Sequence, residues 1–104
     1  MPIFGPNISK TARVPITVIP AGLNCSVELW LTPNGTTKTS TSGKINFVST
    51  GASQNVTIPI VTPTTPGQYD VYIDVYVDTY LIVGYIATDD VIVPSGTVGP
   101  PVWS

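Results

Sequence analysis

Residues 67–80, GQYDVYIDVYVDTY, decide the fold, because apolar and polar side chains alternate along almost the whole stretch. One set of alternate positions is apolar and comprises Tyr69, Val71, Ile73, Val75 and Val77. The other set is an acidic and tyrosine ladder of Asp70, Tyr72, Asp74, Tyr76 and Asp78. Successive side chains of a strand point to opposite faces of its sheet, so this period of two predicts a β-strand with one core face. The ladder then forms the opposite face of the same strand.

The same period of two recurs along the chain and is interrupted by turn residues every eight to twelve positions. The predicted strands are 2–9, 12–19, 24–32, 44–49, 54–61, 68–77 and 80–93, the last of them broken near Asp89 and Asp90. Turns are predicted at Asn34-Gly35 and at Asp78-Thr79. No segment has a helical period. About seven half-buried strands must cover one another in two layers, which predicts an all-β, antiparallel β-sandwich.

The composition bounds the possible partners. The chain has 104 residues, enough for one domain with its own core, and only 10% of them are charged. Its four basic residues are spread along the sequence and the net charge is −2, so no nucleic-acid partner is expected. The longest apolar run, residues 80–87, is too short to span a bilayer, and no membrane insertion is expected. No secretory signal is visible at residues 1–6.

The reactive side chains do not form a recognisable catalytic set. The chain contains no histidine, and its single Cys25 lies in an alternating apolar series that predicts a buried structural thiol. Asp70, Asp74 and Asp78 share one face of a strand, but neighbouring ones are about 13 Å apart at 3.3 Å per residue. That separation is too wide for acid–base work, and a calcium site needs oxygens that converge on one point. We therefore expect no catalytic residue, no metal and no cofactor.

Aromatic side chains on the polar face are the candidates for a contact surface. Tyr72 and Tyr76 lie on the ladder, with Tyr80 and Tyr85 on the next strand, and tyrosine is enriched at the centre of protein interfaces. The alternative is cross-strand aromatic packing within the sheet. Trp30 falls on the parity of Ser26 and Glu28, so it faces away from the core unless a bulge changes the parity.

The two ends of the chain are predicted to form arms. Residues 1–11 are assigned to an N-terminal arm or edge strand, 12–93 to the sandwich, and 94–104 to a Pro/Gly-rich C-terminal arm. Each arm carries one large aromatic, Phe4 or Trp103, close to Pro and Gly residues. Such an aromatic is expected either to fold back on its own sandwich or to dock on a neighbouring subunit.

One stretch carries a family resemblance. Residues 62–75, TPTTPGQYDVYIDV, join a threonine/proline turn to Gly-x-Tyr-x-Val at the start of a long strand. This pattern resembles bacterial and phage immunoglobulin-like domains of the CARDB-like, cell-adhesion-related group. The resemblance covers roughly residues 12–93 and implies an immunoglobulin-like sandwich in which Tyr69 is the tyrosine-corner residue. The paired core cysteines of antibody-type domains are absent from this chain.

The expected function is that of a non-enzymatic structural or interaction module, and specifically a phage virion component such as a decoration, head-fibre or tail-associated protein. Its expected partners are proteins, either further copies of the chain or a capsid or filament subunit. One alternative is an extracellular adhesion or S-layer-type module on a cell surface. Another is a carbohydrate-binding sandwich in which Trp30, Tyr72 and Tyr76 stack on sugars.

Overall fold

A computed structural model describes all of residues 1–104 as β-strands, turns and irregular segments, with no helix. The strands are β1 (Ser9–Thr17), β2 (Asn24–Thr32), β3 (Ser40–Thr41), β4 (Ile45–Val48), β5 (Ser53–Val61), β6 (Gly67–Val77), β7 (Tyr80–Ile86) and β8 (Val91–Val93). The chain therefore contains no helix of the length and hydropathy needed to cross a membrane.

The strands form two antiparallel sheets, which confirms the predicted all-β sandwich. β1 and β5 make a two-stranded sheet. The larger sheet has the order β3-β2-β6-β7, with β4 also pairing with β2 and β8 with the start of β6. There are eight strands instead of about seven, because the weak segment before residue 44 forms β3 and the predicted strand 80–93 is two strands, whereas the predicted strand 2–9 does not form.

The core lies between the sheets and is built from the apolar alternate positions. Val56, Ile58 and Ile60 of β5 are buried, whereas the residues between them point to solvent. They belong to one cluster of 14 buried residues that includes Ile73 and Val75 of β6 and also Cys25. The period of two in the sequence thus follows directly from one buried and one outer face per strand.

The predicted strand at residues 2–9 is wrong. Only Ile3 forms an isolated bridge, with Ile92, and Asn7 has a left-handed φ of 53° in a turn that breaks the segment. The Thr62 hydroxyl holds this turn by donating to the Gly5 carbonyl at 2.7 Å. Strand β1 begins at Ser9 and pairs with β5 from there, so residues 9–11 of the predicted arm or edge strand belong to a strand of the sandwich.

The last predicted strand breaks where Asp89 and Asp90 indicated. β7 ends at Ile86, and β8 pairs with Gly67–Tyr69 at the beginning of β6. The turn at Asp78 and Thr79 joins β6 to β7, and Asp78 has a φ of 52°, which aspartate tolerates better than most residues. Residues 94–104 contain no strand and are exposed throughout.

Candidate functional site

The ladder face of the large sheet is covered at β2. Core residues alternate along β2, yet the intervening Ser26, Glu28, Trp30 and Thr32 are buried as well. Residues 33–44, which follow β2, contribute to this cover: β3 pairs alongside β2, and the Lys38 side chain reaches over Glu28 and Trp30; we call residues 33–44 the covering segment. Trp30 therefore faces away from the core, with the parity of β2 unbroken, and is nevertheless only 7% exposed.

Trp30 lies at the centre of the covered face. Its indole Nε1–H donates to Asp74 Oδ2 at 3.0 Å, and its ring centroid is 4.5 Å from that of Tyr72, the residue opposite it on β6. The ammonium of Lys38 lies 5.1 Å from the Trp30 ring centroid. Trp30 and Tyr72 are therefore a cross-strand aromatic pair beneath a cation, an arrangement that stabilises the sheet.

Glu28 is the anchor of the covering segment. Its carboxylate accepts a hydrogen bond from Lys38 Nζ at 2.7 Å and another from the Thr41 hydroxyl at 2.5 Å. Burial by itself would raise the pKa of Glu28, but these two hydrogen bonds and the charges of Lys38 and Lys44 outweigh it and lower the pKa. The hydrogen bond to Glu28 likewise raises the pKa of Lys38. Each group of the pair thus holds the other in its charged form.

A tight turn at Asn34 and Gly35 starts the covering segment. The Thr32 hydroxyl accepts the backbone N–H groups of Asn34 and Gly35, and the Asn34 side chain accepts those of Thr36 and Thr37. Gly35 has a φ of 82°, and a Cβ there would lie 2.9 Å from the Tyr72 hydroxyl. The left-handed φ favours glycine, and the close approach to the Tyr72 hydroxyl shows that this turn lies against Tyr72.

The structure brings together some of the predicted contact residues and separates the others. Trp30 and Tyr72 touch, and Tyr76 follows on the same face of β6 with Lys44 Nζ 4.1 Å from its ring centroid. Phe4 instead packs partly buried against the core, with Lys10 Nζ 4.7 Å from its ring centroid. Trp103 is 88% exposed on the C-terminal arm. The five residues therefore do not form one surface.

Tyr69, Asp70 and Asp90 make their polar contacts within their own part of the fold, near the start of β6. The buried Tyr69 hydroxyl donates to the Thr65 carbonyl at 2.5 Å, in the loop that precedes β6. Partial desolvation and the nearby Asp90 raise the pKa of Asp70. Asp90 also accepts a hydrogen bond from Gln68 Nε2 at 2.6 Å. The structure contains no group of three or more His, Cys, Asp or Glu side chains that could hold a metal ion.

The most exposed apolar feature is strand β7, at the edge of the large sheet. All seven of its residues are exposed, none is charged, and it pairs on one side only, with β6. Its six large side chains are 49% to 73% exposed: Tyr80, Leu81, Ile82, Val83, Tyr85 and Ile86. Sequence reasoning considered Tyr80 and Tyr85 only as additions to a contact patch around Tyr72 and Tyr76, and it did not select the strand itself as a site. We call it the apolar edge.

A groove lies between the apolar edge and β1, on the inner side of the sandwich. Its volume is about 380 Å³. Its apolar lining consists of Val14, Ile16, Ile73, Val75, Val83 and Tyr85. Ile16, Ile73 and Val75 belong to the buried core cluster, so the groove is an incompletely covered margin of the core. Natural proteins usually protect such an edge with charges, proline or a covering loop, and residues 80–86 contain neither a charge nor a proline.

Comparison with protein-family models, with curated proteins and with solved structures finds no match for this chain.

Proposed function

We propose that this chain is a non-enzymatic structural module that is held in a larger assembly by protein–protein contacts, as a component of a phage virion. The observation that carries the proposal is the apolar edge. It exposes seven uncharged residues and an unpaired strand backbone next to a groove into the core. An apolar patch of this kind on a sheet edge is typical of a surface that is covered by a protein partner.

The C-terminal arm supports the same proposal. The molecule measures 73 Å along its longest axis but only 23 Å and 20 Å across, and residues 94–104 are exposed throughout. Val98, Val102 and Trp103 leave almost their whole surface in water. An extended, proline-containing arm of this type loses little entropy when a neighbouring subunit orders it, which suits a repetitive assembly.

The covered ladder face offers less to a partner. Trp30 is buried between Tyr72 and Lys38, so a sugar would stack on it only after the covering segment had moved away. A cell-surface module would use the apolar edge and the arm in the same way as a virion component. The two alternatives therefore differ in where the protein is found, in virions or in cell envelopes.

The location experiment uses an antibody against the purified chain. A phage-producing culture of the source host is separated into purified virions, cell envelopes and soluble lysate, and the chain is quantified in each against a capsid and a cytosolic marker. We expect it to copurify with virions at a fixed ratio to the capsid marker. Enrichment in cell envelopes would favour the adhesion alternative instead. Recovery only as a free protein in the lysate would refute an assembly role.

A further inference from the structure

We propose that the apolar edge pairs with the apolar edge of a second copy of this chain, antiparallel about a twofold axis at Gly84, so that two large sheets become one. This inference rests on the proposed function, since it names the partner of the same surface.

The backbone of β7 presents free hydrogen-bonding groups to the open edge. The N–H of Ala87 donates to the Val71 carbonyl at 2.9 Å, and the strands pair with Ile73 opposite Tyr85 and Asp74 opposite Gly84. Backbone groups of an antiparallel strand alternate between its two sides. Tyr85 therefore bonds to β6, whereas the N–H and C=O groups of Gly84 and Ile86 point away from it. No strand of the chain pairs with that side.

The side chains are self-complementary in this register. An axis at Gly84 places its backbone opposite Gly84 of the second copy, where the two can exchange both hydrogen bonds. Val83 of each copy then lies opposite Tyr85 of the other copy, on the inner face of the joined sheet. Aromatic and β-branched residues are a favourable cross-strand pair. Because Val83 and Tyr85 both line the groove, the second copy's side chains would cover the exposed margin of the core.

Charge and area both favour a second copy. Residues 80–86 contain no charged side chain, so self-pairing sets no like charges opposite each other within the strand. With about 200 Å² for a tyrosine and somewhat less for an aliphatic residue, the exposed fractions of the six large side chains sum to on the order of 600 Å². A standard stable interface uses about 800 Å² per partner. The backbone edge and the groove rim can supply the difference.

The first test is backbone hydrogen exchange of the unaltered protein, followed by NMR over a dilution series. Exchange at Gly84 and Ile86 should slow as concentration rises, in step with the dimer fraction from light scattering. The Tyr85 amide is the internal control, because its bond to β6 protects it in monomer and dimer alike. A monomer at every concentration up to the solubility limit would overturn self-pairing, even if the chain is found in virions. Protection that appears only when another protein is added would overturn it as well.

The second test is a pair of charge variants that differ only in one sign. V83K/Y85K places two ammonium groups opposite each other on each side of the axis, whereas V83K/Y85E places an ammonium opposite a carboxylate. We expect the like-charge variant to dimerise on the order of 100-fold more weakly than the opposite-charge variant at low salt. Their urea midpoints should be equal at concentrations where both are monomeric, since dimerisation would itself raise the midpoint. Equal dimerisation of the two variants, whether both are tight or both are weak, would refute the Gly84-centred register.

Discussion

Replacement of Trp30 by alanine tests whether the ladder face at Trp30 is covered by the protein's own side chains or is free to contact a partner. The side chain is 7% exposed, so the change removes on the order of 200 Å² of buried surface, equivalent to about 5 kcal/mol at about 25 cal/mol per Å². Collapse of the covering segment into the void recovers part of this cost. We therefore expect the free energy of unfolding to fall by about 3–4 kcal/mol, within the range known for such truncations.

The conservative variant Trp30→Phe separates packing from hydrogen bonding. It keeps an aromatic ring against Tyr72 but removes the indole N–H that donates to Asp74 at 3.0 Å. A hydrogen bond to a charged acceptor contributes about 1.5–3 kcal/mol, and the partial exposure of Asp74 places this one at about 1.5 kcal/mol or less. A double-mutant cycle with Asp74→Ala, which removes the acceptor, should show that the two changes are not additive.

Urea unfolding followed by far-UV circular dichroism measures these differences, and Trp103→Ala is the matched control. Trp103 is 88% exposed, so its loss should change the unfolding free energy by less than about 0.5 kcal/mol. Acrylamide quenching of tryptophan fluorescence is an independent check. Trp30→Phe leaves only the exposed Trp103, which should be quenched strongly, and Trp103→Phe leaves only the buried Trp30, which should be protected. A loss below about 1 kcal/mol in Trp30→Ala, together with strong quenching of Trp30, would refute the covered face and restore it as a contact platform.

Three further outcomes are expected from the contacts described. The folded-state pKa of Glu28 is lowered from 4.5, so the stability that its ionised form contributes is present above pH 4.5 and is lost as the pH falls through the folded-state pKa. The variant Glu28→Gln lacks this titration, and its urea midpoint should therefore decline less steeply in acid than that of the unaltered protein. Tyr69→Phe removes the bond to Thr65 and should cost about 1 kcal/mol by thermal unfolding, whereas an unchanged melting temperature would show that the hydroxyl is already solvated. Deletion of residues 95–104 should leave the unfolding free energy within about 0.5 kcal/mol, and a larger loss would mean that the arm folds back on its own sandwich.

The sequence predicted best those strands that have one buried and one outer face. In β5 and β6 the apolar alternate positions are the core positions. The turn at Asp78 and Thr79 joins β6 to β7 where it was predicted. Here the local pattern is sufficient, because burial on a single face imposes a period of two. The prediction of a strand at residues 2–9 was wrong for a local reason as well, because the turn at Asn7 breaks the extended backbone.

The burial of Trp30 was beyond local reasoning. Parity correctly placed it away from the core, but its partner Asp74 lies 44 positions along the chain. The cover is made of threonine, serine and lysine, types that indicate a solvated loop when they are considered alone. Contacts of this range depend on tertiary packing, which periodicity does not describe. The immunoglobulin-like resemblance of residues 62–75 stays a prediction.

The ladder face and the apolar edge differ in which of their groups are left without contacts, and this difference favours the apolar edge as the docking surface in the proposed assembly. On the ladder face Glu28 has Lys38 and Thr41, Trp30 has Asp74, and no buried side-chain polar atom lacks a hydrogen bond. A partner that docked there would have to displace contacts that already exist. At the apolar edge the same partner would replace only water, and it would gain both apolar burial and backbone hydrogen bonds. The free energy for association is therefore available at β7, although the polar ladder is the more conspicuous pattern in the sequence.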